Sequence, residues 1–374
     1  MLRKWVCRMT LHNLWWLLIW PLLFGGVSAV LIPKREEYVL GQKKTRWHWI
    51  PALILVLPFI IWAAWRSNAF GDTAAYRQQF LNAPASFSNL VSYVSGRTKD
   101  RGYSLLVVVF KTLVSRSDVF FFLFIAAVQM ICLAAMYRKY SEDYWLSIFL
   151  FIASTDYISW MHNGMRQFIA AAILFASIPL IIKGKYIPML IIAVLATQIH
   201  LSAVVFIPFI FVINGRAWNW RTVLFIIGIL VSVFFVDRIT GIITNAMQDT
   251  AYSSEIKQLI NDDGVNLFRA LFYSFPAMLS FVFRSNLDRA NNPMINMCAN
   301  LSVIGMGFYV FAYFTSGILI GRLPIYFTLA NYILIPWLIK NVFNKGSAFF
   351  IRACFIGVYS FFFYYQMSSG WGLL

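Results

Sequence analysis

Apolar runs recur along the whole chain, separated by short polar stretches. The runs 14–32, 48–65, 119–137, 144–162, 166–182, 222–236, 267–283, 295–316, 322–339 and 348–366 read as membrane spans. A helical crossing takes about 20 residues. Three further runs, 103–114, 186–199 and 201–213, are shorter. Such segments read as tilted, re-entrant or half-helices, which a membrane protein tolerates where they line a protein cavity. Two of them flank His200. The alternating segments of a transmembrane barrel are missing. The pattern predicts an all-α polytopic integral membrane protein with roughly 11–13 transmembrane or re-entrant helices. Residues 1–374 read as a single membrane domain.

The polar connectors orient these spans. Basic residues mark the loops 33–46 (Lys34, Arg35, Lys43, Lys44, Arg46), 138–143, 183–185, 214–221, 284–292 and 340–352. By the positive-inside rule these face the cytoplasm. The outer face then receives 66–102, the region around 163–166, residue 200, 237–266 and 317–321. The alternation closes if 103–114 does not cross and the two short runs around His200 do. Arg3, Lys4 and Arg8 oppose this orientation, and the five basic residues of 33–46 outweigh them. The leader MLRKWVCRMTLHN and the run LWWLLIWPLLFGGVSAV have the outline of a signal peptide. The many spans that follow favour a retained first span. The two long connectors, 66–102 and 237–266, read as extracytoplasmic loops, the first with short helices, and such loops carry function more often than short connectors do.

Composition agrees. The chain is 60% hydrophobic and 12% charged, against about 25% charged in soluble domains. A net charge of +17 would suggest nucleic acid in a soluble protein. Here most Lys and Arg lie between spans, so membrane orientation explains them, no nucleic acid is expected, and an anionic lipid-linked substrate suits the sign. Cys7, Cys132, Cys298 and Cys354 show no paired spacing, so neither a disulfide framework nor a metal site is expected.

Several polar residues interrupt the apolar pattern. In WMHNGMRQFIAAAILF, His162, Arg166 and Gln167 stand where an apolar run begins. His162 and Arg166 are four apart and share a face if the helix begins by residue 160. Charge at membrane depth usually faces a cavity and marks function; the plainer reading has Arg166 snorkelling or capping a connection. His200 sits among apolar residues in ATQIHLSAVVFIPF, either as a neutral imidazole bonded to a carbonyl or as a general base at a cavity floor. Arg322, in SGILIGRLPIYF, is an interfacial anchor or an anion ligand opening a span. Asp72 in RSNAFGDTAAYRQQF and Asp100 in TKDRGYSLL read as helix N-caps, which does not exclude chemistry at Asp72. No nucleotide, metalloprotease, hydrolase or dinucleotide signature is present, so transfer from ATP and a bound cofactor are not expected. Two arginines can hold a diphosphate by bidentate charge-assisted bonds.

These pieces resemble a family. RSNAFGDTAAY, KDRGYSLL, NGMRQFIAAAILFAS, ATQIHLSAVVFIPF and GRLPIYF stand in the order found in the EpsG/Wzy-type bacterial polysaccharide polymerases, over residues 66–327. Arg101 stands where that family more often has proline, and the N-terminal twelve residues look like an addition. The resemblance implies a glycosyltransferase of the bacterial inner (cytoplasmic) membrane. It would join undecaprenyl-diphosphate-linked oligosaccharide repeat units at the outer face, without a metal, in O-antigen, capsule or exopolysaccharide biosynthesis. Its partners would be the lipid-linked oligosaccharide, membrane lipid, a chain-length regulator and a flippase. In that frame Arg166 and Arg322 clamp the donor diphosphate, and His200, or else Asp72, takes the acceptor proton. His162 and Gln167 position phosphate or sugar. Tyr76 and Tyr103 stack on sugar rings, and Arg66 and Asp100 complete the candidate substrate-binding set. The rivals are a flippase for the same lipid-linked sugars, which would show pseudo-symmetric halves and matched discontinuous helices, and a membrane acyltransferase with its His and Arg pair nearer the N-terminus. The sequence shows neither feature.

Overall fold

The computed structural model describes residues 14–68, 70–235, 264–370 and positions 238, 241, 242 and 245. The leader and most of the 237–266 loop, with Asp249, Tyr252, Glu255, Asp262 and Asp263, lie outside the described residues. The protein is all-α and polytopic, with almost no sheet. By length and composition, four of the described helices can cross a membrane: Asp118–Tyr140, Met165–Ile182, Pro293–Tyr313 and Lys345–Gly370. Two bent pairs would make six: Leu267–Val282 with Arg284–Ala290, bent by 65°, and Ile320–Thr328 with Asn331–Val342, bent by 49°. Shorter apolar helices, among them Trp49–Ala64, Tyr144–Ala153, Tyr186–Ile199 and Trp220–Phe234, complete the set. Bent or broken helices therefore fall at 267–290 and 320–342, in runs that the sequence read as single spans.

The chain divides into two compact units, one of residues 1–176, 198–200 and 343–374, the other of 177–197 and 201–342. In the first unit, Trp49–Ala64 lies along Asp118–Tyr140, and Trp16–Leu31 along Tyr144–Ala153. Side-chain donors stitch the helices to carbonyls: Trp20 Nε1 to Leu55 O (2.9 Å), Tyr144 Oη to Ala52 O (2.8 Å), Tyr157 Oη to Phe59 O (2.6 Å), and Trp145 Nε1 to Pro21 O. Away from water such bonds are a main source of helix cohesion, because apolar burial contributes little between helices in lipid. In the second unit, Pro293–Tyr313 is the central helix and is mostly buried. Its Phe308 stacks on Phe327, and Phe209 meets both edge-on, with ring centroids 5.1–5.7 Å apart. Both packings rest on aromatic rings, which bury large areas at low rotamer cost.

Two local features depart from the sequence reading. The basic loop 33–46 is an antiparallel hairpin, Lys34–Val39 with Gln42–Trp47. Its two-residue turn puts Leu40 at φ 50° and Gly41 at φ 79°, both positive as a type I′ turn requires. The run 144–162 is not one helix: Tyr144–Ala153 ends before Thr155, which has φ 68°. A short turn at Asp156–Ile158 and a π-turn at Ser159–Asn163 follow, and after Gly164 a new helix starts at Met165.

Candidate functional site

The connector 66–113 builds one side of the site. After Gly71 (φ 53°), the helix Thr73–Asn82 sends Tyr76 inward. Gly71 turns directly against Asn163, where an added Cβ would lie 3.1 Å from its Oδ1. The chain then folds back through short helices to Asp100, whose φ of 54° and ψ of 44° are left-handed. Asp tolerates that conformation better than most residues. The helix Arg101–Leu113 starts there and buries Tyr103, Val107 and Phe110 against Phe80 and Phe121. Lys111 donates to the carbonyls of Phe80, Leu81 and Ala83 at 2.8, 2.8 and 2.6 Å, closing the C-terminus of the Thr73–Asn82 helix. Lys near a helix C-terminus satisfies its free carbonyls and suits its dipole.

Asp100 is the centre of the cluster. Its Oδ2 lies 2.7 Å from Arg166 Nη1 and 3.4 Å from His200 Nδ1. The carboxylate side chain is 3% exposed, whereas those of Arg166 and His200 are 27% and 28% exposed. One buried acceptor thus holds two half-open donors. The Arg166 guanidinium also lies 5.7 Å from the ring centroids of both Tyr76 and Tyr103. His200 reaches the cluster because Gly102 touches the end of the Tyr186–Ile199 helix. A Cβ on Gly102 would lie 2.8 Å from both the Cβ and the carbonyl oxygen of Gln198.

Electrostatics fixes the roles open to these groups. Burial raises the pKa of Tyr103, and its neighbour Tyr76 adds to the rise; burial likewise raises that of Tyr76. Both stay neutral phenols and offer rings and O–H groups. A carboxylate paired with a guanidinium accepts hydrogen bonds and does not donate them. In the tautomer that donates from His200 Nδ1 to Asp100, the Nε2 lone pair is left to accept.

The other expected residues fall in different places. Asp100 begins a helix without capping it through its side chain, and neither does Asp72, which is exposed. Asp72 lies one turn before Tyr76 on the same short helix. Arg66 is 2% exposed; burial lowers its pKa to about 10. His162 is fully buried in a box of rings, 4.8 Å from Trp62, 5.1 Å from Phe70 and 5.2 Å from Tyr157. The expectation that His162 and Arg166 share a helical face is overturned, because the π-turn and Gly164 separate them. Gln167 is buried beside Arg166. Arg322 closes the turn Ile320–Arg322 in the second unit and is exposed. Among the described residues, no group of three or more His, Cys, Asp or Glu could hold a metal ion. Sequence reading missed Gly102 and Asn163, for which a glycine two residues after Asp100 and an Asn before Gly164 were the signals.

A family model described as the EpsG family matches residues 49–371, a range that holds every one of these residues. The match supports a polysaccharide-polymerase type of function in general. No curated protein matches the chain. No solved structure matches it either.

Proposed function

The chain belongs to the EpsG family, and from that premise we propose that it is a membrane glycosyltransferase joining lipid-diphosphate-linked oligosaccharide repeat units. The single observation that carries the reading is the shared carboxylate. Asp100 Oδ2 holds Arg166 at 2.7 Å and His200 at 3.4 Å, with both partners half open. Asp100 orients the imidazole, and His200 Nε2 removes the proton from the acceptor hydroxyl. That oxygen forms a bond to the anomeric carbon of the donor glycan. The bond from the same carbon to the diphosphate breaks, and the diphosphate leaves with the electron pair. Arg166 stabilises the charge that develops on it, with donors left over from Asp100. A long hydrogen bond in the free enzyme is no objection, since catalytic contacts tighten in the complex.

Within this proposal Asp72 is exposed one turn from Tyr76 and stands as a rim residue near the acceptor, with His200 as the base. Tyr76 and Tyr103 hold Arg166 by their ring faces. Arg322 is a separate anion contact, to be tested by itself. Guanidinium charge takes the part that a divalent cation plays elsewhere, and the reaction is expected to proceed in EDTA. The substrate is an oligosaccharide on undecaprenyl diphosphate, met at the extracytoplasmic face of the bacterial cytoplasmic membrane.

The test is a reconstitution. Purified protein in lipid receives undecaprenyl-diphosphate repeat units, without nucleotide sugar and with EDTA, and products are resolved as a ladder. A ladder that disappears with His200→Ala supports the proposal. A flippase is the second reading, favoured by the bent pairs at 267–290 and 320–342, since transporters build sites at broken helices. Translocation of the lipid-linked sugar across vesicles with no ladder would replace the first reading by the second.

A further inference from the structure

The segment that presents Arg166 is not regular helix, and its carbonyls are held from outside. Arg66 Nη1 donates to Met161 O at 2.6 Å. Tyr76 Oη donates to Asn163 O at 3.1 Å. Gln129 Nε2 donates to Met165 O at 3.0 Å. Three alternate carbonyls, two in the break and one at the first residue of the helix after it, thus receive side-chain donors from three different elements. Arg66 also reaches across the break, its Nη2 lying 3.4 Å from Met165 Sδ. Arg166 is the next residue along the chain.

The two inward members of this set are costly choices for buried positions. Gln129 is fully buried halfway along an apolar span. Arg66 is 2% exposed, and among the described residues no carboxylate pairs with it. Its guanidinium instead lies 4.4 Å from the centroid of the Phe122 ring, and its own carbonyl accepts from Arg77 Nη2 at 3.2 Å. Arg77 in turn pairs with Asp118. Packing alone would be served by apolar residues of similar volume, which often match or exceed buried ionic groups in stability. A planar guanidinium with several fixed donors does what an apolar residue cannot: it holds both sides of a break at once.

We propose that Arg66 and Gln129 are positioning residues that lock the start of the Met165–Ser177 helix and so hold Arg166 against Asp100. Arg66 touches neither substrate nor the reacting atoms in this scheme and acts through Met161 and Met165. The placement of Arg166 stands whatever reaction it serves. Only the consequence for turnover rests on the polymerase reading.

The test therefore has a readout independent of activity. Wild-type protein, Arg66→Lys and Gln129→Met are treated with phenylglyoxal in lipid, and modification of each arginine is followed by mass spectrometry. Lys keeps the charge but cannot span both partners, and Met keeps the volume but cannot donate. Arg166 is expected to react about threefold faster or more in either variant, as local opening frees it from Asp100. Exposed Arg101 is expected to react at the wild-type rate. An unchanged Arg166, or a parallel rise at Arg101 that marks general loosening, overturns the proposal. If Arg66→Lys fails to accumulate, Gln129→Met decides alone. In the polymer assay the same variants lose kcat with KM little changed; absence of a ladder from wild-type protein would count against the polymerase reading and leave the phenylglyoxal result standing.

Discussion

Two charged clusters of the first unit use the same residue types to opposite ends. Where the hairpin meets the end of the Asp118–Tyr140 helix, Arg138 is 3% exposed and receives Glu37 through both carboxylate oxygens, at 2.6 and 3.1 Å. Its guanidinium also stacks 4.2 Å from the centroid of Trp49. Nearby, Arg46 Nε donates to Lys139 O at 2.9 Å, and Glu142 serves both Lys44 at 3.4 Å and Arg46 at 3.8 Å. Burial lowers the pKa of Arg46, while Glu142 opposes that shift. In this cluster each arginine is closed by a carboxylate or a carbonyl. At Asp100 the count is reversed, with one buried carboxylate for two half-open partners. Closed pairs hold chain segments together. A shared acceptor leaves donor capacity for something that arrives from outside.

That contrast can be broken by substitution. Arg166→Ala is expected to give the largest loss, on the order of a thousandfold in polymer formation, with normal membrane insertion, since it removes charge stabilisation at the leaving group. Wild-type chain lengths from this variant would end its role. His200→Ala is expected next, about a hundredfold or more, the usual contribution of a general base; the check is the initial rate of ladder formation at saturating substrate. Gly102→Ala is a sharper probe because it removes no functional group. Its methyl would strike the backbone of Gln198, moving His200 away from Asp100, and a loss of about tenfold is expected from that misplacement. Equal rates for Gly102→Ala and wild type would show that the approach of the two helices does not matter. Arg138→Ala should affect turnover least, yet it leaves the partly exposed Glu37 unpaired, at a cost of about 1 kcal/mol. A lowered melting temperature with unchanged rate per folded molecule is the expected pair of results, and a selective loss of rate would erase the distinction between the clusters.

Much of the fold was legible because lipid imposes length. The helices Asp118–Tyr140, Pro293–Tyr313 and Lys345–Gly370 stand within a few residues of the apolar runs at 119–137, 295–316 and 348–366. The hairpin was not legible. Strand alternation reads as apolar against polar, but here the inner face holds Glu37, Lys44 and Arg46, whose partners are charges on other segments. Leu40 also stands in a turn position usually filled by Asn or Gly. The break at 154–164 was hidden inside an apolar run, because nothing local to the sequence reveals that Arg66 and Tyr76 donate to its carbonyls and Gln129 to the one just beyond it.

The site was half legible. Arg166, His200 and Asp100 were each singled out, but only three-dimensional contact makes one carboxylate common to the other two. The surroundings of His162 were hidden, because an imidazole beside an arginine looks polar in sequence, whereas rings from Trp62, Phe70 and Tyr157 enclose it. Those of Arg66 were hidden for a similar reason. Sequence shows its charge and hides its depth.

The backbone at Asp100 narrows what mutation can explore there. Its left-handed φ of 54° screens out β-branched and bulky residues before any chemistry is tested. Asn and Gly pass that screen but bring no negative charge, and Glu brings the charge on a longer arm that tolerates the conformation poorly. A saturation library at this codon should therefore sort into three phenotypes. Asp alone should be active, Asn and Gly should accumulate as well-formed but silent protein, and the remainder should fall in abundance. Few positions in the chain offer selection so small an alphabet.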